Sequence, residues 1–205
     1  MAEGHAQKSV SRSAFLELRE EQQLVHNGYE FLDEKRVQLA AEMLRQRTVY
    51  RELSGRFAET CERAAHALLE AAAADGLESL QVHPAKPLSD ARVTRDERRF
   101  VGVALIAARF GAGGEPGEPP LGASGPARDC ADAFHAVVET GVRLAAISAN
   151  LERLMYEYRR TERRVRALEN VILPEISSEL ATMEEHLDLN EQEEVIRVRS
   201  IRQRE

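Results

Sequence analysis

The sequence contains no tryptophan, and aromatic residues make up only 5% of its 205 residues. A chain so poor in large rings has little material for the core of an ordinary globule. Cysteine is nearly absent as well. Cys61 and Cys130 are too few for a disulfide framework and read as small apolar packing residues in a reducing compartment. Long hydrophobic runs are missing. The longest, Phe100 to Ala108, falls far short of the ~20 residues that cross a bilayer. The opening MAEGHAQKSV lacks the apolar core of a signal peptide. These absences predict a soluble, cytoplasmic protein without direct membrane insertion, whose membrane association runs through a partner.

What the chain has instead is charge and helix formers. Charged residues reach 31% and the formal net charge is −7. Ala, Glu, Leu and Arg dominate, the signature of long helices or coiled coils. From Ser11 to Asp75, residues recur at alternating spacings of three and four: Leu18, Val25, Tyr29, Leu32, Leu39, Met43, Tyr50, Leu53 and Phe57, with polar Gln22, Arg36 and Gln46 in the same series. That is a heptad seam over more than five repeats. Ser11 or Ser13 caps its start, and Gly76 follows as the residue that ends it. Such a helix is roughly 95 Å long, and it must lie along another helix.

Residues 76–125 read differently. Leu80 to His83 and Arg99 to Phe110 read as short strands, and GAGGEPGEPPLGASG is a Gly/Pro loop that is neither helix nor strand. A small β-hairpin head is expected here, with residues 111–121 the first cut by proteases. The third part, 126–203, begins with Pro126 at the first helical position and Asp129 and Asp132 in the early turns. Its seam runs through Val137, Leu144, Leu151, Met155, Tyr158, Val165, Leu168, Ile172, Ile176, Leu180, Met183 and Leu187. Between Leu168 and Leu180 the spacing is four, four, four, which relaxes the supercoil locally. Pro174 lies inside this seam, yet the periodicity passes it without a reset, so a kinked but continuous helix is expected there. Two long helices joined by about fifty residues fold back on each other. The expected fold is mainly α: a long antiparallel two-helix coiled-coil hairpin with a small β-hairpin head at the turn, its parts being 11–75, 76–125 and 126–203.

Residues 159 to 176, RRTERRVRALENVILPEI, hold five arginines within eight residues: Arg159, Arg160, Arg163, Arg164 and Arg166. At 100° per residue they wrap much of the helix, whereas a phosphate-binding face would keep them on one side. Glu162 and Glu169 interleave with them, and Arg166 is placed to pair with Glu162. With an acidic chain around it, the cluster reads as a salt-bridged surface or a protein-partner surface rather than a grip on nucleic acid. The Gly-rich loop lacks the Gly-Lys-Ser/Thr ending of a phosphate-cradling loop. The six histidines are scattered, and neither His186 nor the Cys130–His135 pair has the spacing of a metal or nucleophile site. No catalytic, cofactor-binding or metal-binding constellation is read from the chain.

Four segments in order resemble the central-stalk D-subunit family of V/A-type (vacuolar/archaeal-type) rotary ATPases and ATP synthases. RRTERRVRALENVILPEI looks like the family's Arg-Arg-Val-x-Ala-Leu-Glu run followed by Ile and Pro, carried by Arg163, Arg164, Val165, Ala167, Leu168, Glu169, Ile172 and Pro174. The opening helix is similar too, with Gly28, Leu32, Lys35, Arg36 and Leu39 where the family shows Gly and then Leu-x-x-Lys-Arg-x-x-Leu. FVGVALIAARF and PPLGASGPARD, with Gly102 and Gly122, look like its Met-Gly-Val strand and Gly-rich loop. EEVIRVRSIR, with Glu194, Ile196, Arg197 and Arg199, resembles Glu-Glu-Phe-Phe-Arg-Leu-Lys-x-Ile. The chain departs from the pattern at Ser9-Val10-Ser11, where Pro-Thr is usual, and at Val195 and Ile196, which replace an aromatic pair.

The resemblance implies a rotor axle, present once per complex and itself non-catalytic. Its end bearing both termini would lie inside a hexamer of alternating catalytic A and B subunits. Its other part would bind the small central-stalk F subunit and rest on the socket C subunit, which is called d in eukaryotes. Torque would then couple ATP synthesis or hydrolysis to movement of protons, or sodium, through a membrane ring. The reading that competes with it is a coiled-coil tether or chaperone-like scaffold unrelated to ATPases.

Overall fold

A computed structural model describes residues 11–82, 91–111 and 124–202. Helix α1 runs without interruption from Arg12 to Asp75, 64 residues. Of the two candidate caps, Ser11 serves: its Oγ accepts from the Ala14 amide at 3.2 Å. Gly76, at φ 76°, ends the helix in the left-handed region where a side chain would strain the backbone. A short helix α2, Leu77–Val82, follows. The strand expected from Leu80 is therefore helical, because Gly76 terminates α1 while its carbonyl accepts the Leu80 amide of a new turn.

Strands β1 (Arg92–Phe100) and β2 (Val103–Gly111) form an antiparallel ribbon joined by Val101 and Gly102. The single strand expected over Arg99 to Phe110 thus contains the turn. Both turn residues have positive φ, 47° and 85°, as a two-residue hairpin of type I′ requires. The charged segment before it, RVTRDERRF, supplies the partner strand. Alternation of apolar residues is weak there, which is why it escapes a pattern search.

Helix α3 spans Gly125–Ala167, a π-helical turn spans Leu168–Ile172, and α4 spans Leu173–Arg202. Ser124, ahead of Gly125 and Pro126, caps α3 by accepting from the Ala127 amide at 3.1 Å. Pro126 is accordingly second in the helix rather than first.

The chain divides into two compact units, 1–37 with 159–205 and 38–158. In the first, Arg12 pairs with Glu191 at 2.6 Å and Gln22 donates to Ser177 at 3.0 Å. Rising numbers on α1 meet falling numbers on α4, so the pair is antiparallel. Its core joins Leu18 to Ile176, Leu180 and Met183, with Ala14, Phe15 and Val25 at the margin. In the second unit, Leu39 meets Leu154, the Phe57 ring faces Gly141, and Ser124 donates to the Asp75 carboxylate. This pair is antiparallel too. Fold class is therefore mainly α, with antiparallel helix pairing and a β-ribbon in the chain between the long helices.

The seam on α1 matches the heptad reading, with Leu18, Leu39 and Leu53 buried. It continues as Thr60, Ala64 and Ala71, small residues that the apolar pattern does not flag. On α3 the buried register is Ala146, Asn150, Leu154, Thr161 and Val165. Leu151 is only half-buried and Met155 is 41% exposed, so the seam lies one residue earlier than those positions. Polar Asn150 and Thr161 occupy it, and a purely apolar search skips them.

The π turn accounts for the run of fours. After Val165 and Leu168 the inward positions are Leu173, Ile176, Leu180 and Met183, while Ile172 turns outward. Steps of five and three replace the first two of the expected fours. The Leu173 amide bonds to the Leu168 carbonyl, five residues back. Pro174 follows at once, so its missing N–H falls where the π turn already breaks the regular four-residue ladder. The helix continues past proline as expected, through a π turn.

Candidate partner-binding surfaces

The ribbon is anchored within the second unit by three devices. Phe100, Val101, Val103 and Leu105 join the cluster formed by Leu39, Met43, Leu154 and Tyr158. Asn150, 3% exposed, grips the edge of β2: its Oδ1 accepts the Ile106 amide and its Nδ2 donates to the Ile106 carbonyl, both at 2.8 Å. The carboxamide thereby supplies the pair of bonds that a neighbouring strand would supply. Arg98 on β1 donates to the buried Glu42 carboxylate at 3.2 Å, where Arg45 and Gln46 also reach it. Farther along, the Phe110 ring meets His135 with centroids 5.3 Å apart. From turn to base, then, β2 tracks α3 from Leu154 back to His135.

None of Glu42, Arg98 or Asn150 stands out in the sequence as a functional residue. The one available signal for Asn150 is its position, four residues from both Ala146 and Leu154 on the buried stripe. Between the turn and α3 an open groove is lined by Gly102, Val103, Ala104, Arg153 and Tyr156, with Tyr156 exposed at its rim.

The residues named from sequence fall into separate groups. Gly28, Leu32, Lys35 and Arg36 lie on α1 and are half-buried, with Arg36 paired to Asp33 at 2.5 Å. Gly102 forms the ribbon turn, and Gly122 lies outside the described residues. Arg163 and Arg164 are exposed around the buried Thr161–Val165 stripe, and Arg166 donates to Glu162 at 2.7 Å. Leu168, Glu169 and Ile172 come together in the π turn, with Pro174 just after it. Glu194, Ile196, Arg197 and Arg199 are exposed on the last turns of α4, beside exposed Val195, Val198 and Ile201. This end of α4 carries apolar residues without the burial that would explain them.

Among the described residues no cluster of His, Cys, Asp and Glu could hold a metal ion, and no helix is long and apolar enough to cross a membrane. Cys130 is buried, Cys61 half-buried, and both are free thiols.

Comparison with known proteins bears on the family of the chain. The family model for the D subunit of ATP synthase matches residues 14–203. The D subunit of the V-type ATP synthase of Anaeromyxobacter dehalogenans is 31% identical over 202 residues, covering 96% of each chain. The corresponding D subunit of the A-type ATP synthase of Methanoregula boonei is 25% identical over 198 residues, 95% of each chain. That of the A-type ATP synthase of Pyrococcus furiosus is 39% identical over 72 residues. The Pyrococcus match spans 35% of this chain and 34% of the other, about a third of its length. With a family match that runs nearly end to end and a full-length relative of this similarity, the chain belongs to the ATP synthase D-subunit family.

Proposed function

We propose that this chain is the central-stalk rotor subunit of a V/A-type ATPase or ATP synthase, transmitting torque between a catalytic A/B hexamer and an ion-translocating membrane ring. The observation that carries this reading is the unbroken 64-residue helix α1, paired antiparallel with a second helix in each unit. Two helices bonded along their length resist twist better than one, because each seam contact must shear before the shaft turns on itself. Family membership supplies the context.

The chain itself is non-catalytic in this reading. The end that carries Arg12 and Glu191 sits within the A/B hexamer. The small F subunit and the socket C subunit (d in eukaryotes) bind the part that carries the ribbon. The complex is peripheral to the membrane on its cytoplasmic side and couples ATP synthesis or hydrolysis to proton, or sodium, transport. Exposed charge of both signs on the shaft, such as Arg163, Arg164 and Glu169, gives many weak contacts with the hexamer, none strong enough to hold one angle.

The test is coupling in the assembled complex. Leu154→Gly removes a fully buried seam side chain and adds backbone freedom at the same place. Complexes carrying it should hydrolyse ATP with less ion pumped per ATP. An unchanged ratio in fully assembled complexes would refute a stiff two-helix shaft. Failure of the parent chain to assemble with A, B and F subunits would refute the rotor reading itself.

A further inference from the structure

We propose that the outer edge of β1 is a docking strand for an extended, acid-rich segment of another protein, which adds to the ribbon as a third strand. This rests on the ribbon alone and is independent of the rotor reading.

The two edges of the ribbon are treated differently. The edge of β2 is covered: Asn150 satisfies both main-chain groups of Ile106, and Arg153 reaches the Ala104 carbonyl at 3.4 Å. Ile106 is opposite Glu97 in the register. Because the Ile106 groups face away from β1, those of Glu97 face away from β2. Two-residue alternation places the groups of Val93, Arg95 and Arg99 on the same outer side. Among the described residues, no hydrogen bond reaches them. Residues Arg92 to Arg99 are all exposed. The result is a long unpaired edge, a template for strand addition.

Charge selects the occupant. The strand holds Arg92, Arg95, Arg98 and Arg99 against Asp96 and Glu97. Arg98 is engaged by Glu42, while Arg109 lies across from Thr94 on β2. Arg99 is 3.9 Å from Glu97, a solvent-exposed pair that binds little of its charge. Each face of the strand thus carries two arginines to one carboxylate, Arg95 and Arg99 with Glu97 on one and Arg92 and Arg98 with Asp96 on the other, on a chain of net charge −7. A second copy can set its Glu97 against Arg95 or against Arg99 but not against both at once, whereas an acid-rich segment sets a carboxylate opposite each.

The probe is a blocked threonine peptide with glutamate at every fourth position, which faces Arg95 and Arg99 but not Glu97, titrated into the full chain with the same peptide carrying lysine for glutamate as control. Amide exchange by nuclear magnetic resonance is the readout. The acidic peptide should slow exchange at Val93, Arg95, Glu97 and Arg99, whose amides point outward, and binding should weaken as salt rises. Arg95→Pro removes one outward N–H and no bond of the ribbon, and should weaken binding about tenfold or more. The pair Arg95→Glu with Arg99→Glu keeps the main-chain edge intact and should abolish selection for the acidic peptide, a check if the proline variant fails to fold. The proposal is overturned if outward amides stay unprotected, if Arg95→Pro binds like the parent, or if both peptides bind alike. A dimer of the parent chain that Arg95→Pro dissolves would assign the edge to a second copy and overturn it as well.

Discussion

At the scale of single residues, Asn150 and Gly102 carry the most information about how the ribbon is held. Asn150→Leu deletes both bonds to Ile106 and leaves a donor and an acceptor against the helix. It should cost about 2–4 kcal/mol, at the upper range for two lost bonds whose partners lose water, read as a lower urea midpoint at unchanged slope. Asn150→Asp keeps the acceptor for the Ile106 amide but turns a carboxylate oxygen toward the Ile106 carbonyl, and should also destabilise. Gly102 has φ 85° and open space where a Cβ would stand. Gly102→Ala should therefore cost about 1–2 kcal/mol from backbone conformation alone, with no clash. Val101 is the odd member of this turn, a β-branched residue at φ 47°. Its packing beside Leu39 and Leu154 offsets that strain. The sequence showed Gly102 as a motif residue. It did not show that the residue before it would share a left-handed turn, because Val disfavours that region.

At the scale of elements, the long helices were legible and their registers only in part. As far as Phe57 the α1 seam is written mostly in large apolar residues and is legible where it lies, while Thr60, Ala64 and Ala71 beyond it are not. The α3 seam includes Ala146, Asn150 and Thr161, so a search for large apolar residues drifts to Leu151 and Met155. Leu154→Ala should cost about 2–5 kcal/mol, as for other fully buried leucines. Met155→Ala, at an exposed position, should cost within about 0.5 kcal/mol. Equal losses in thermal unfolding would put the register back at Met155. The π turn was legible only as an irregular spacing, since proline and an extra residue produce the same symptom in a sequence. If the extra residue makes the turn, deleting Asn170 from a Pro174→Ala background gives a regular helix with Ile176, Leu180 and Met183 still buried. The unfolding midpoint should be no lower than that of Pro174→Ala alone.

At the scale of the whole molecule, composition pointed to long helices and away from an ordinary globule, and the four ordered motifs pointed to a family that the comparisons support. Partner surfaces were less legible. A residue facing a partner that is not present has no burial or bond to mark it. Val195, Ile196, Val198 and Ile201 are exposed and apolar along one short length of α4. Under the proposed rotor reading, replacing Ile196 and Ile201 with Ser should leave the chain's own stability within about 0.5 kcal/mol while weakening its assembly with the A/B hexamer, measured by co-purification. Unchanged assembly would remove this end of α4 from the interface. The Asn150 clamp has a mechanical consequence at this scale. A strand edge gripped by a carboxamide cannot creep along its helix in small steps: moving it by even one residue breaks both bonds together and faces Asn150 with main-chain groups turned toward the other strand. Lifting and sliding at Ile106 therefore share one threshold, while the Arg98–Glu42 pair and the packed Val103 and Leu105 carry load to α1 and α3 alongside it.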